Sequence, residues 1–179
     1  MVPESYGSYF AAGASAGAAL IGLLFVAISL RPDTIVGDRA GAGGRALAGS
    51  TFTSLVNAFF ISLFDLLPGV NLGYVAAILG GISIFQTFRL HRHLPRAEAR
   101  PVLWALSMLS FGGEVLVGGF LIASPHSRAG LDGLCYLVVA AFATALTRAW
   151  ALLQGTHLRT PLPTTVDPNR PSAQAGPRP

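Results

Sequence analysis

The sequence predicts an all-α integral membrane protein, a bundle of about five transmembrane helices with its N-terminus outside and its C-terminus inside. Composition, apolar segments and the placement of arginine support this. Of the 179 residues, 52% are hydrophobic and 11% are charged, with mean hydropathy +0.58. A soluble domain of this length carries about 25% charged residues. Since so few polar residues cannot cover a globule in water, we expect the bilayer to be the solvent.

Five apolar segments have the length of membrane spans. They cover residues 9–30, 49–67, 72–88, 102–123 and 131–153, and about 20 residues cross a hydrocarbon core about 30 Å thick. The uncharged link PGVN joins the second and third segments, so residues 49–88 either span twice or form a re-entrant hairpin. Residues 1–154 form the predicted transmembrane domain. Residues 155–179 are rich in Pro and Thr, which predicts a disordered cytoplasmic tail.

The arginines set the predicted orientation. All 12 basic residues are arginine, and they concentrate after the first and third segments and in the tail. Because cytoplasmic loops of membrane proteins are enriched in basic residues, these links are predicted to face inward, against anionic lipid. Arginines between spans face a lipid surface, so we expect no nucleic-acid partner despite a pI of about 10.0. The Ala-, Gly- and Arg-rich composition indicates a bacterial protein in the cell (inner or plasma) membrane.

Glu114 interrupts the fourth segment, in LSFGGEVLVGGFL. On a helix, Ser107, Ser110, Glu114 and Gly118 share one face. A charged acid in the middle of a span costs about 2.5–3.5 kcal/mol. Because a partner, a proton or a wet cavity lowers that cost, we expect Glu114 to face the interior of the bundle.

The second segment carries a matching polar stripe. Its members are Ser50, Ser54, Asn57 and Asp65. Asn57 lies at about the depth of Glu114, and its amide can donate to a carboxylate or accept from a carboxylic acid. Asp65 lies near the outer end.

Arg148 lies about 9 Å inward of the middle of the fifth segment. Its side chain either reaches toward Glu114 or extends to the inner interface, and the second behaviour is the expected one for arginine near the end of a span.

Small residues are spaced for close helix packing. Gly13, Gly17 and Gly22 recur along the first segment, and Gly80 and Gly118 lie in the third and fourth. Small residues let backbones approach in lipid, where apolar burial gives little drive for association. They pack helices either within one chain or between protomers, and the lack of a large soluble domain favours a homo-oligomer.

Other chemistry has little support in the sequence. GAGGRA at 41–46 matches a dinucleotide fingerprint, but it lies between spans without a βαβ unit, so a loop at the lipid surface and no cofactor are expected. His91 and His93 have no obvious third ligand nearby, so we predict no metal. No nucleophile–base pair is visible within the spans, and we expect no enzyme.

Three functions fit these features, the third of which is a lipid-handling protein, since grooves between glycine-faced helices beside arginines suit anionic head groups. The first is an oligomeric channel or transporter for protons or a small cation, with Glu114 as the key acid. Asn57, Ser107 and Ser110 would line the path, Arg148 would border it, and Asp65 would lie at its outer mouth. The alternative is a non-transporting scaffold or regulatory subunit that packs against a partner membrane protein.

Overall fold

The computed structural model describes residues 4–35, 37, 41–92, 101–125 and 127–157. Within these ranges the secondary structure is helical, with no strand. The helices are α1 (Glu4–Leu30), α2 (Pro32–Ile35), α3 (Gly41–Asp65), α4 (Leu72–Arg92), α5 (Pro101–Ala123) and α6 (Arg128–His157). All except the short α2 are long and apolar enough to cross a membrane, five in total. The five predicted apolar segments are therefore confirmed as five long helices.

Two helices extend beyond the apolar segments that predicted them. Helix α3 begins at Gly41 rather than at 49, so GAGGRA forms its first turns and not a loop. Hydropathy did not detect these turns because glycine and arginine lower the mean hydropathy of the segment. Helix propensity is a separate property, and alanine and arginine both favour helix. Helix α6 continues to His157, past the predicted start of the disordered tail at 155. Residues 158–179 lie outside the described part of the chain.

Local signals explain where the helices start and stop. Gly69, in the turn after α3, has φ +83°, a conformation that glycine adopts without a steric penalty. The Asn71 side chain caps α4 by accepting from the Gly73 backbone N–H at 2.9 Å. Helices α3 and α4 are each long and apolar enough to cross a membrane.

Four of the long helices form a closed ring. In it α3 packs against α4 and α6, and α5 packs against the same two helices. Helices α3 and α5 therefore face each other across the centre of the ring. Helix α1 lies outside, mainly against α3. Side chains that extend from α3 and α5 toward the centre can consequently meet on the axis of the bundle.

The two ends of the bundle differ. At one end of the bundle α3 and α5 begin and α1, α4 and α6 finish; we call it the arginine-rich end. We call the opposite end the hairpin end. Toward the hairpin end the ring is filled by apolar side chains, which we call the apolar layer. It comprises Ala58, Ile61, Leu72, Ala76, Leu121, Leu131, Leu134 and Val138. Polar side chains concentrate between this layer and the arginine-rich end.

The outward faces of the helices are apolar. Leu116 and Tyr136 are 76% and 77% exposed, and Phe85 is 67% exposed. Glu114 and Arg148, in contrast, are 1% and 2% exposed. Soluble proteins bury apolar side chains and expose charged ones. The opposite distribution in this protein suits a lipid environment.

Candidate functional site

Glu114 lies inside the ring, where α5 comes close to α4. Gly80 of α4 permits this approach, because a Cβ placed there would lie 3.0 Å from the Glu114 Cβ and 2.9 Å from the Phe111 carbonyl oxygen. The close contact of the two helices leaves Glu114 almost inaccessible from outside the protein.

Asn57 of α3 reaches across the ring to Glu114. Its Nδ2 donates to Glu114 Oε2 at 2.7 Å and to Ser83 Oγ, from α4, at 2.9 Å. The Ser83 hydroxyl is also 3.3 Å from Asn57 Oδ1, to which it can donate. The three side chains are at most 2% exposed. Three helices thus meet at one buried hydrogen-bonded cluster, and the depth match between Asn57 and Glu114 corresponds to a direct contact.

Arg148 of α6 points into the same interior and does not extend to the interface, so that expectation was wrong. Its Nη2 donates to Ser107 Oγ at 2.8 Å, and its Nη1 donates to Ser54 Oγ at 3.2 Å and to the Ser50 carbonyl oxygen at 3.4 Å. These partners belong to α3 and α5, which face each other across the ring. Polar partners at mid-depth remove the need for the guanidinium to reach water.

The six buried side chains of these two clusters form what we call the polar axis. It comprises Ser54, Asn57, Ser83, Ser107, Glu114 and Arg148. Ser54 and Asn57 are about one turn apart on α3, and Ser107 and Glu114 are about two turns, or 10 Å, apart on α5. Glu114 and Arg148 therefore follow one another along the interior of the ring, with Arg148 nearer the arginine-rich end. Their hydrogen-bond partners are neutral, so neither charge is neutralised by an ion pair with the other.

Two predicted path residues do not join this network. Ser110 lies on α5 between Ser107 and Glu114, and its Oγ is buried without a hydrogen-bond partner. Asp65 ends α3 at the hairpin end, and its Oδ1 is likewise buried and unpartnered. Asp65 is two turns past Asn57, about 12 Å along the helix, so it does not take part in the Glu114 cluster.

Most of the predicted packing glycines make contacts within the chain. A Cβ at Gly13 would lie 2.6 Å from Ser62 Oγ, one at Gly17 would lie 2.9 Å from the Phe59 Cβ, and one at Gly118 would lie 2.6 Å from the Ala77 backbone nitrogen. Gly22 differs, because a Cβ there would meet nothing within 4 Å. Among the predicted glycines, only Gly22 remains open to an external partner.

Ser83 is the member of the polar axis that the sequence patterns described above do not include. It lies on the face of α4 that also carries Ala76 and Gly80. That face does pack closely, since Gly80 contacts α5 at Glu114. The available signal was the position of Ser83 one turn from Gly80, at a depth comparable to that of Asn57.

The part of the chain that the structure describes has no metal cluster, and the comparisons find no known family. Among the described residues, no group of three or more His, Cys, Asp or Glu side chains is placed to hold a metal ion; His93 lies outside this part of the chain. Comparison with protein-family models, with curated proteins and with solved structures finds no significant match. The functional argument therefore rests on the geometry of the polar axis.

Proposed function

We propose that this protein is a multi-pass membrane transporter for protons or a small cation, in which Glu114 is the group that receives the ion. The observation that carries this proposal is the pair of buried charges on one axis. Glu114 and Arg148 both lie inside a four-helix ring, each held by neutral groups, and Arg148 contacts α5 at Ser107, about two turns from Glu114. A carboxylate that an ion can neutralise, with a fixed positive charge nearby, is suited to loading and release of a cation.

The energetics favour a transport role over a purely structural one. Each charged side chain at the centre of a span costs about 2.5–3.5 kcal/mol to insert. Hydrogen bonds between transmembrane helices return only about 0.6–2 kcal/mol each. Apolar side chains would hold α3 and α5 together at lower cost. Intramembrane acids that persist against such a cost commonly belong to ion paths and proton relays.

The proposed orientation places the arginine-rich end in the cytoplasm. Arg31, Arg45, Arg89 and Arg92 are exposed at that end, where they would meet anionic lipid in the cell membrane. The N-terminus is then outside and the C-terminus inside. In this orientation the polar axis lies nearer the cytoplasm, and the apolar layer closes the outer half.

A closed outer half favours a transporter over a permanently open channel. Ile61, Leu121 and Leu134 are at most 2% exposed and belong to the apolar layer between Glu114 and the hairpin end. For an ion to reach Glu114 from outside, these side chains must separate. Asp65 would then lie at the outer mouth, and Ser107 and Ser110 would line the inner side of the path.

Replacing Glu114 with glutamine is expected to abolish flux and preserve the fold. Glutamine keeps the shape and still accepts from Asn57, but it cannot be neutralised by an ion. The experiment measures proton and monovalent-cation flux into liposomes that hold the purified wild type or Glu114→Gln. Asp132→Asn is the matched control, because it removes an acid that is exposed and bonded to Tyr6 outside the polar axis. Equal flux in wild type and Glu114→Gln would refute a transport role for Glu114.

A second candidate function is a scaffold that packs against a partner membrane protein. The observation that favours it is the open face of α1, which lies outside the ring and includes the exposed small residues Ser15, Ala18 and Gly22. Small residues exposed to lipid allow another helix to approach closely. In this account Glu114 and Asn57 would hold the ring together, and Glu114→Gln would change little.

Gly22→Leu is expected to reduce association between protomers and leave the monomer folded. The added side chain meets open space within the chain, so any effect must come from outside it. Gly81→Leu is the control, since Gly81 is exposed on α4 and also has open space around it. Cross-linking in liposomes measures the oligomer, and equal cross-linking in wild type and both variants would argue against an α1 interface.

A further inference from the structure

Three oxygen atoms inside the ring accept hydrogen bonds from Arg148. They are the hydroxyls of Ser54 and Ser107 and the carbonyl of Ser50. We propose that the transported ion is the proton and that Arg148 excludes metal cations by occupying these oxygens. This inference rests on the proposed transport function and names both its substrate and a specificity-determining residue.

The surroundings of Glu114 do not form a metal-cation site. Hard cations take about six oxygen ligands in proteins. Glu114 instead receives an N–H of Asn57 at 2.7 Å, and its Cβ faces the backbone of Gly80. The hydrogen atom of this N–H lies against the carboxylate oxygen, in the position that a metal ion bound to that oxygen would occupy. Within the described cluster, Ser83 is the other polar neighbour, and its hydroxyl is engaged with Asn57.

The same surroundings suit a proton, which needs only one oxygen. The Asn57 NH₂ group donates to the ionised carboxylate. After a half-turn of the amide, its Oδ1 can accept from the protonated carboxyl. The Ser83 hydroxyl donates or accepts as the amide requires, so the cluster keeps its hydrogen bonds in both states. Loading forms one O–H bond on Glu114 as one O–H bond breaks on a hydronium ion, which becomes water, and release reverses this exchange.

Arg148 acts as a resident cation further along the axis. The residue is 2% exposed, and its guanidinium bridges Ser54 of α3 and Ser107 of α5 across the ring. A sodium or potassium ion that moved along the axis would need these oxygens as replacements for its water, and it would also meet the positive charge. A proton passes by exchange of O–H bonds between hydroxyls and water. It therefore does not require the guanidinium to leave its oxygen partners.

The test compares ion selectivity in wild type, Arg148→Gln and Arg148→Lys. Each protein is reconstituted into liposomes, with a trapped pH dye to report protons and radioactive sodium and rubidium to report metal cations. We expect wild type to move protons without sodium or rubidium. Arg148→Gln should raise metal-cation uptake at least tenfold, since it frees the oxygens and removes the charge. Arg148→Lys keeps a cation at this position and should restore exclusion, which a merely structural role would not predict.

The outcomes separate this inference from the proposal on which it rests. Proton flux accompanied by comparable sodium or rubidium flux in wild type would overturn proton specificity and leave the transport function standing. Unchanged selectivity in folded Arg148→Gln would overturn the role of Arg148. Absence of any flux in wild type would overturn both proposals. If Arg148→Gln fails to fold, Arg148→Met is tested in its place, because it also removes the charge and frees the three oxygens, and it should likewise raise metal-cation uptake.

Discussion

Gly118→Ala is expected to destabilise the folded protein strongly, by about 3 kcal/mol, at the upper end of the usual range for overpacking. A Cβ at Gly118 would lie 2.6 Å from the Ala77 backbone nitrogen and 2.7 Å from the Gly73 carbonyl oxygen. Both are backbone atoms of α4, so no side-chain rotation relieves the contact. Helices α4 and α5 would have to separate along the wall of the ring that also holds Gly80 and Glu114. Thermal unfolding in detergent measures the loss as a lower melting temperature.

Gly119→Ala provides a control one residue away on the same helix. Gly119 is exposed and has open space around it. The same substitution there adds helix propensity, about 1 kcal/mol relative to glycine, without a contact. We therefore expect Gly119→Ala to unfold at or slightly above the wild-type temperature. Equal behaviour of Gly118→Ala and Gly119→Ala would show that α4 and α5 are not packed as closely as described.

Asn57→Leu is expected to be the other strongly destabilising substitution. It removes the amide that donates to Glu114 and Ser83 and leaves the buried acid without its partner. Removing one member of a buried hydrogen-bonded pair costs about 1–3 kcal/mol, and more when the remaining group is charged. Breaking a buried ion pair costs about 3–5 kcal/mol, which sets the upper bound here. The free energy of unfolding in detergent, measured with a chemical denaturant, gives the loss.

A double-mutant cycle separates this contact from other effects of the leucine. Asn57→Leu, Glu114→Leu and the double variant are compared with wild type. Because each single variant leaves one polar partner unpaired, the double variant should be more stable than the sum of the single losses predicts, by about 1–3 kcal/mol. Additive losses would mean that Asn57 and Glu114 do not interact in the folded protein.

Sequence alone was sufficient for the number and type of the long helices. A span needs a long apolar run, and hydropathy reads such a run directly. Hydropathy did not detect the helix at residues 41–48, because glycine and arginine lower the mean hydropathy there. Alanine and arginine favour helix, and α3 extends through these residues. Helix ends therefore depend on propensity and capping, as at Asn71, which hydropathy does not measure.

The contact between Asn57 and Glu114 was within reach of the sequence, because depth in the membrane follows from the position of a residue in its span. The position of Arg148 was not. Its partners Ser54 and Ser107 lie on helices that face each other across the ring. Which helices face each other is set by the order of the helices around the ring and by their rotation, neither of which apolar length encodes. Arg148 was therefore expected at the interface rather than inside.

Glycine spacing likewise gave the positions of close packing but not the partners. Gly13, Gly17 and Gly118 approach helices of the same chain, whereas Gly22 faces outward. Gly13, Gly17 and Gly22 share the spacing of four between small residues, yet their surroundings differ, since spacing identifies a smooth helix face and not what covers it. Three-dimensional arrangement is needed to separate packing within the chain from a surface that is open to another protein.

The proposed transport role requires Glu114 to gain a proton from water and to lose it again. Infrared difference spectra between acidic and alkaline buffer, recorded on the reconstituted protein, report the C=O stretch of a protonated carboxylic acid. We predict a reversible carboxylic-acid band in wild type that is missing in Glu114→Gln and retained in Asp132→Asn. Identical spectra of wild type and Glu114→Gln would mean that Glu114 is locked in one state, and the polar axis would then be a structural element that holds the helices together.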